Sequence, residues 1–247
     1  MLTPSLTLTD NGKVKFRSNH RNTFGLNYGL PKDGGTCPGA TSGAGGCLDV
    51  RTGRKRETCY MAKIVQIYKA VGKVLDNNTQ AVVGKSYDEQ VTVLSNTFQN
   101  FVNSNTKEHW YFRLFYSGDV FSEQFARAIV ASCSKFPEVK FWTYTRSHEF
   151  AHILVQAPNL AVYLSIDPVN MKTAVKIYDS LKPTYKNIGM AHLGEPKPED
   201  TTEKFVGCPE TYGKVANTDT KGACASCKLC FTYTDDIRLR NIKFKIH

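Results

Sequence analysis

Between residues 110 and 192 the apolar pattern keeps changing period, and that alternation restricts the fold more than any other feature of the chain. Residues 110–116 are aromatic and β-prone and stop at Ser117-Gly118-Asp119. A helical stripe follows at Phe121, Phe125, Ile129 and Cys133, then a strand at 139–145. A short helix from about residue 148 ends before Pro158, and a strand at 160–166 closes on Asp167-Pro168. One more helix, through Ala174, Ile177, Tyr178 and Leu181, leads to a strand-like run at 186–192. Strands and helices that alternate in this way build parallel sheets with right-handed crossovers. With the elements before residue 110 there is room for about six β/α units, so the expected fold class is α/β, a partial or open barrel related to the eight-unit form. A doubly wound open sheet is the alternative.

The rest of the chain is expected to join this core as a single domain, residues 1–247, long enough to bury a core without staples. Residues 1–60 read as N-terminal strands, with a weak alternation at 13–16, followed by a glycine-rich cysteine loop. Residues 61–200 read as the β/α core. Its first helix carries Met61, Ile64, Val65, Tyr68, Val71 and Leu75 on one stripe, with Thr58 as N-cap. Its second opens with Ser86-x-x-Glu89, the form of a capping box, and buries Val91, Leu94, Phe98, Phe101 and Val102. Residues 201–247 read as a cysteine-rich C-terminal appendage packed on that core.

The chain has eight cysteines. No apolar run is long enough to span a membrane. The N-terminus lacks a basic region followed by an apolar one, so a cytoplasmic location is expected, where thiols stay reduced. Cysteines in that compartment read as metal ligands before disulfides. Cys224-x-x-Cys227-x-x-Cys230 can turn three sulfurs toward one point, and Cys208 joins them across a loop rich in turn-forming residues. Two successive C-x-x-C steps are closer to ferredoxin ligation than to a zinc knuckle, with structural zinc as the alternative. Cys37, Cys47 and Cys59 form a second group, whose three thiolates would leave one iron of a four-iron cube without a protein ligand. The expected cofactor is therefore one or two [4Fe-4S] clusters, unless the three share a site with a tail cysteine. Cys133, on an apolar helical stripe, reads as core.

The strand ends are polar and should face one mouth at the carboxyl edge of the sheet. They supply Ser117, Gly118 and Asp119 as ligand-holding residues, and Asp119, Arg146, His192 and Glu195 as candidate catalytic groups. Asp119 has a rival role as helix N-cap. His148-Glu-Phe-Ala-His152 fits H-E-x-x-H, the pattern of a zinc peptidase, although position 158 is proline where a third histidine ligand would stand. The formal net charge of +10 favours anionic partners, nucleic acid or nucleotides, with local clusters at Arg51, Arg54, Lys55 and Arg56 and at Arg238, Arg240, Lys243 and Lys245.

Cys37-Pro38, Cys47 and Cys59-Tyr60, the central runs 113–122 and 141–147, and the tail Cys208-Pro, Cys224, Cys227, Cys230 together resemble the phage gene-product-88-like proteins. The resemblance covers about residues 24–231. It implies a phage protein working in the host cytoplasm and an outline similar to radical S-adenosylmethionine (SAM) barrels. In those barrels the cysteine loop follows the first strand, and a short acidic glycine motif after the second holds the SAM amino group. Ser117-Gly118-Asp119 would take that role here. The cysteine spacing departs from that class: the loop is far longer, and the aromatic Tyr60 follows Cys59 instead of preceding it. The function implied is that of an iron–sulfur protein, a radical-SAM-like enzyme acting on a nucleic-acid or nucleotide-type substrate. The alternative is a nucleic-acid-binding or host-interaction protein with a structural metal.

Overall fold

The computed structural model describes residues 3–43, 46–49, 59–197, 199–234 and 236–245. In chain order the strands are β1 (Thr9–Asp10), β2 (Arg21–Thr23), β3 (Tyr111–Arg113), β4 (Lys140–Thr145), β5 (Leu160–Ile166), β6 (Ile188–Leu193), β7 (Phe205–Gly207) and β8 (Asn241–Phe244). The helices are α1 (Tyr60–Ile67), α2 (Lys69–Gln80), α3 (Tyr87–Asn103), α4 (Glu123–Ser134), α5 (Ala151–Leu154), α6 (Met171–Leu181) and α7 (Ala223–Cys227). The strands form one sheet in the order β1-β2-β3-β4-β5-β6-β8-β7. β1 runs antiparallel to β2, and every other pair is parallel. The sheet is not closed among the described residues, with β1 and β7 at its edges. The expected α/β class and parallel crossovers are found.

The two faces of this sheet are covered differently. Phe112, Phe141, Leu160, Val162, Leu164, Ile166, Ile188 and Met190 point to one face and pack with α3, α4, α5 and α6. Trp142, Ala161, Tyr163 and Ala191 alternate with them and point to the other, where they meet Val14, Phe16, Ala225, Cys230, Phe231 and Ile242. Burial on both faces explains why residues 160–166 read as a continuous apolar run rather than a half-polar strand. A doubly wound sheet would place long crossover helices on both faces. Here the second face takes the N-terminal segment and the cysteine tail instead. On the helical face, Phe98 of α3 lies 4.7 Å from Phe141 and 5.2 Å from Phe112, centroid to centroid, all three fully buried. Burying each such ring contributes about 1.5–3 kcal/mol.

Several elements differ from the sequence reading. The tail is not a mere appendage, because β7 and β8 belong to the sheet. The alternation at 13–16 is real in burial, with Val14 and Phe16 inside. It forms no sheet strand, however: the Lys13 and Lys15 carbonyls accept from the Cys224 and Gly222 amides at 2.9 and 2.8 Å. The helix expected from residue 61 breaks at Tyr68 (φ −113°, ψ 85°) into α1 and α2. Polar contacts cause the break. Asn78 donates to the Gly25 and Thr7 carbonyls, and Thr79 accepts from the Asn27 amide, which docks α2 at its own angle and leaves Tyr68 exposed. Thr58 and Arg51, Arg54, Lys55 and Arg56 lie outside the described residues. The strand at 110–116 shortens to three residues because Phe115 adopts φ +55°. The capping box at Ser86 and Glu89 forms in both directions, and Cys133 is fully buried core.

Candidate metal centre

The cysteine loop leaves β2 and folds over the carboxyl edge of the parallel strands. The Leu26 amide donates to the Ser117 carbonyl (2.9 Å) and the Ser117 hydroxyl donates back to Leu26 (2.8 Å), so the chain after β2 stays paired with the chain after β3. Cys37 is anchored by its amide on the Gly29 carbonyl (2.9 Å), and the Cys59 amide bonds the Cys47 carbonyl (2.9 Å). Gly39 fits because a Cβ there would stand 2.0 Å from the Arg146 carbonyl oxygen, which ties the loop to the end of β4. Burial pushes the Cys37 thiol far up, and Asp119, Cys59 and Cys47 push the same way. These three thiols therefore share one polar neighbourhood at the strand ends.

Asp119 stands at its centre but is saturated. Its Oδ1 accepts from the Val120 amide and the Thr145 hydroxyl, both at 2.7 Å. Its Oδ2 accepts from the amides of Arg146 (2.7 Å) and Ser147 (3.2 Å). Burial pushes the carboxyl pKa up against the pull of these donors. The side chain clamps the ends of β3 and β4 together. It is not the helix N-cap, because Ser122 accepts from Phe125 there. Gly118 takes φ +75° and sits against Thr36 and Leu26 with no room for a Cβ. Arg146 pairs with the buried Asp167, which also accepts from Thr41 of the cysteine loop (2.6 Å). Burial pushes Asp167 up, but Thr41 and Arg146 outweigh it and hold the carboxyl below its usual range. His192 is buried, with Nδ1 3.1 Å from the Gly194 carbonyl oxygen. Glu195 is exposed and pairs with Lys243. His192 and Glu195 lie along the same edge, toward β8, with no contact to Asp119 or Arg146 among the hydrogen bonds and ion pairs of the described residues.

The tail cysteines lie on the face of the sheet without long helices. Cys208 follows β7 directly, its amide on the Lys243 carbonyl (2.8 Å). Cys224 and Cys227 lie in α7, and Lys228 in the left-handed region (φ 57°) turns the chain so that Cys230 comes inward. A Cβ on Gly222 would meet the Lys13 carbonyl oxygen at 2.4 Å, so α7 is pressed against the N-terminal segment. Cys208, Cys224, Cys227 and Cys230 border one cavity of about 20 Å³, walled by Ala223, Leu229, Phe231 and Ile242. Burial raises Cys224 to about 11 while Arg113 pulls it down. Burial also raises Cys227 and Cys230.

Among the described residues, no three of His, Cys, Asp or Glu are already drawn together as a metal-holding group. The donor set and its surroundings nevertheless fit a thiolate-bound metal. Four sulfurs border the same small cavity. Tyr144 donates its hydroxyl to Cys230 Sγ at 2.9 Å. Tyr163 stacks on Tyr144 with centroids 5.2 Å apart, and its hydroxyl is buried without a hydrogen-bond partner. Arg113 lies 5.3 Å from the Tyr144 centroid with its Nε also buried and unpartnered. Arg113, Tyr144 and Tyr163 were missed from sequence. One signal was available: an arginine in the middle of an aromatic strand.

The H-E-x-x-H pattern does not form a zinc site. His148 opens a 3-10 turn that passes into the single turn of α5, so the two histidines do not share a helix face. His148 is buried with Nε2 3.0 Å from the Ser165 carbonyl oxygen, whereas His152 bonds its own turn at Glu149. In the basic tail cluster, Arg238 is bound to the Tyr185 carbonyl (2.7 Å) and Lys243 to Glu195.

A parallel α/β sheet with long helices on one face, and cysteine thiols along its carboxyl edge and over its other face, defines the class. The chain belongs to the Gene product 88 family, whose model matches residues 5–233. It is 32% identical to the Gene 88 protein of Mycobacterium phage L5 over 210 residues, covering 82% of this chain and 81% of that protein. It is 31% identical to the Gene 88 protein of Mycobacterium phage D29 over 211 residues, with the same coverage. No solved structure matches the chain. Among the described residues no helix is long and apolar enough to cross a membrane.

Proposed function

We propose that this chain is a phage iron–sulfur protein, a radical-SAM-like enzyme acting on a nucleic-acid or nucleotide-type substrate, with Cys37, Cys47 and Cys59 as the ligands of its reactive centre. The observation behind this reading is the order along the carboxyl edge. The cysteine loop follows the first parallel strand, β2, and Ser117-Gly118-Asp119 follows the next, β3. The open sheet with its long helices on one face then corresponds to an arc of a partial barrel. Three thiolates leave one iron of a four-iron cube free to bind a small molecule, which is the chemistry such a cluster supplies when present. The chain's own residues position that loop. Asp119 fixes the ends of β3 and β4, and Asp167 with Arg146 fixes Thr41. The net charge of +10 favours a polyanionic substrate.

The tail quartet is a separate, closed site in this reading. Four cysteine thiolates with no open position suit a structural zinc, which is the occupant taken here, and an auxiliary iron–sulfur cluster is the alternative. The second reading, a non-enzymatic nucleic-acid-binding or host-interaction protein, is favoured by one observation. Asp119 has no acceptor capacity left for a ligand's amino group.

The test is anaerobic purification followed by iron, sulfide and zinc counts per chain, with the absorbance near about 400 nm. Iron and sulfide lost in a Cys37→Ala, Cys59→Ala variant but kept in Cys224→Ala, Cys227→Ala is the expected result. A chain with neither iron nor zinc overturns both readings, and zinc alone overturns the first. No heat of SAM binding to cluster-loaded protein removes the radical chemistry.

A further inference from the structure

The face of the sheet beneath the tail cysteines carries two buried donors that nothing among the described residues satisfies. Tyr163 is fully buried in the middle of β5, its ring stacked on Tyr144 and its hydroxyl without a partner. Gly189 on the neighbouring strand leaves the room, since a Cβ there would stand 2.9 Å from the Tyr163 ring. Arg113 lies over the other ring of the pair, Tyr144, and its Nε is buried with no acceptor. Among the described residues Arg113 makes no ion pair. A buried hydroxyl or guanidinium left unsatisfied is costly, and native folds rarely keep one without a use.

Tyr144, which lies between them, has its acceptor: its hydroxyl donates to Cys230 Sγ at 2.9 Å. Phe231 and Trp142 close the apolar surround, 4.7 Å apart. Four thiolates around a divalent ion, or around a cluster, carry net negative charge, which in an apolar surround draws donors and a cation toward the sulfurs.

We infer that Tyr163 and Arg113 are positioning residues for an anionic thiolate centre at Cys208, Cys224, Cys227 and Cys230, Tyr163 supplying a hydrogen-bond donor and Arg113 the balancing positive charge. This rests on the reading of the quartet as a metal site, and extends it by assigning the residues that set its affinity.

Cobalt(II) is the probe, titrated anaerobically into the reduced full chain against a competing chelator. The bands of tetrahedral thiolate-bound cobalt report occupancy of the site. Tyr163→Phe and Arg113→Met are each expected to weaken cobalt binding by about 10-fold or more, the usual loss when a residue supporting a ligand is removed. Arg113→Lys is expected to recover part of the affinity. The second readout is the thermal midpoint without metal. There Tyr163→Phe is expected to match or exceed the parent, because it deletes a hydroxyl that lacks a partner. A purely structural tyrosine would instead lower the metal-free midpoint and leave cobalt affinity unchanged, and that result overturns the inference. So does cobalt affinity equal to the parent in both Tyr163→Phe and Arg113→Met. Failure of the parent chain to take up cobalt or zinc overturns the quartet as a metal site, an outcome distinct from the first two.

Discussion

Replacing Asp119 by asparagine exchanges one carboxylate oxygen for an amide nitrogen at nearly constant volume. In the fold both oxygens are in use, Oδ1 by Val120 and Thr145 and Oδ2 by Arg146 and Ser147. An asparagine can keep its oxygen toward only one of these pairs. The other pair of donors then faces an NH2 group, in a site where Asp119 is 4% exposed and water has little access. Two buried donors left unmet cost about 1–3 kcal/mol each. Removing a buried charge returns part of that, which leaves a net loss of about 3 kcal/mol. For a chain of this size that corresponds to a drop of about 6–12 °C in Tm. Urea denaturation of Asp119→Asn beside the parent protein, both metal-free, measures it. An unfolding free energy within about 0.5 kcal/mol of the parent would refute the clamp, since an exposed ligand-holding aspartate would tolerate the change. Metal content measured on the same samples shows whether the cysteine loop loosens with the strand ends.

Phe98→Ala opens a hole between Phe112, Phe136 and Phe141, and is expected to cost about 3–5 kcal/mol in chemical denaturation. His20 and His148 are buried, and burial holds each at a pKa of about 4, below the ordinary value for histidine. Both are neutral in the fold, so acidification protonates the unfolded chain first. Their stabilising contribution is complete above about pH 6.5 and is lost as the pH falls toward about 4, on the order of 3 kcal/mol for each. Urea midpoints measured across that window should fall with pH. His148→Asn should show a shallower fall, and an unchanged slope would count against a buried neutral His148.

The parallel core was legible because its strands are buried on both faces and its helices on one, so the two periods appear cleanly between residues 110 and 192. Leu160–Ile166 forms a strand over the same span read from its sequence. The N-terminal third was harder to read. Residues 13–16 alternate as a strand does, yet their backbone pairs with residues 222–224, and no local pattern announces so distant a partner. The break at Tyr68 follows from side chains of α2 bonding to backbone of residues 7, 25 and 27, which periodicity does not register. For the site, the cysteines stood out by type and spacing. Asp119 was found by its position after a strand, but its role depends on donors from β4 and the loop after it, brought close only by strand pairing. Arg113, Tyr144 and Tyr163 share a face through the register that sets Arg113 opposite Trp142 and Tyr144 opposite Tyr163, and that register exists only in the folded sheet.

The strand order has a kinetic consequence. β8 lies between β6 and β7, so among the described residues β7 pairs only with a strand that follows it in the chain. During synthesis β7 must wait, unpaired, until residues 241–244 have emerged and slotted into the gap. Cys208 directly follows β7 and waits with it. During synthesis the four tail thiols are therefore expected to come together only once β8 is in place, and a chain stopped before β8 is expected to form its helical face while its quartet stays open.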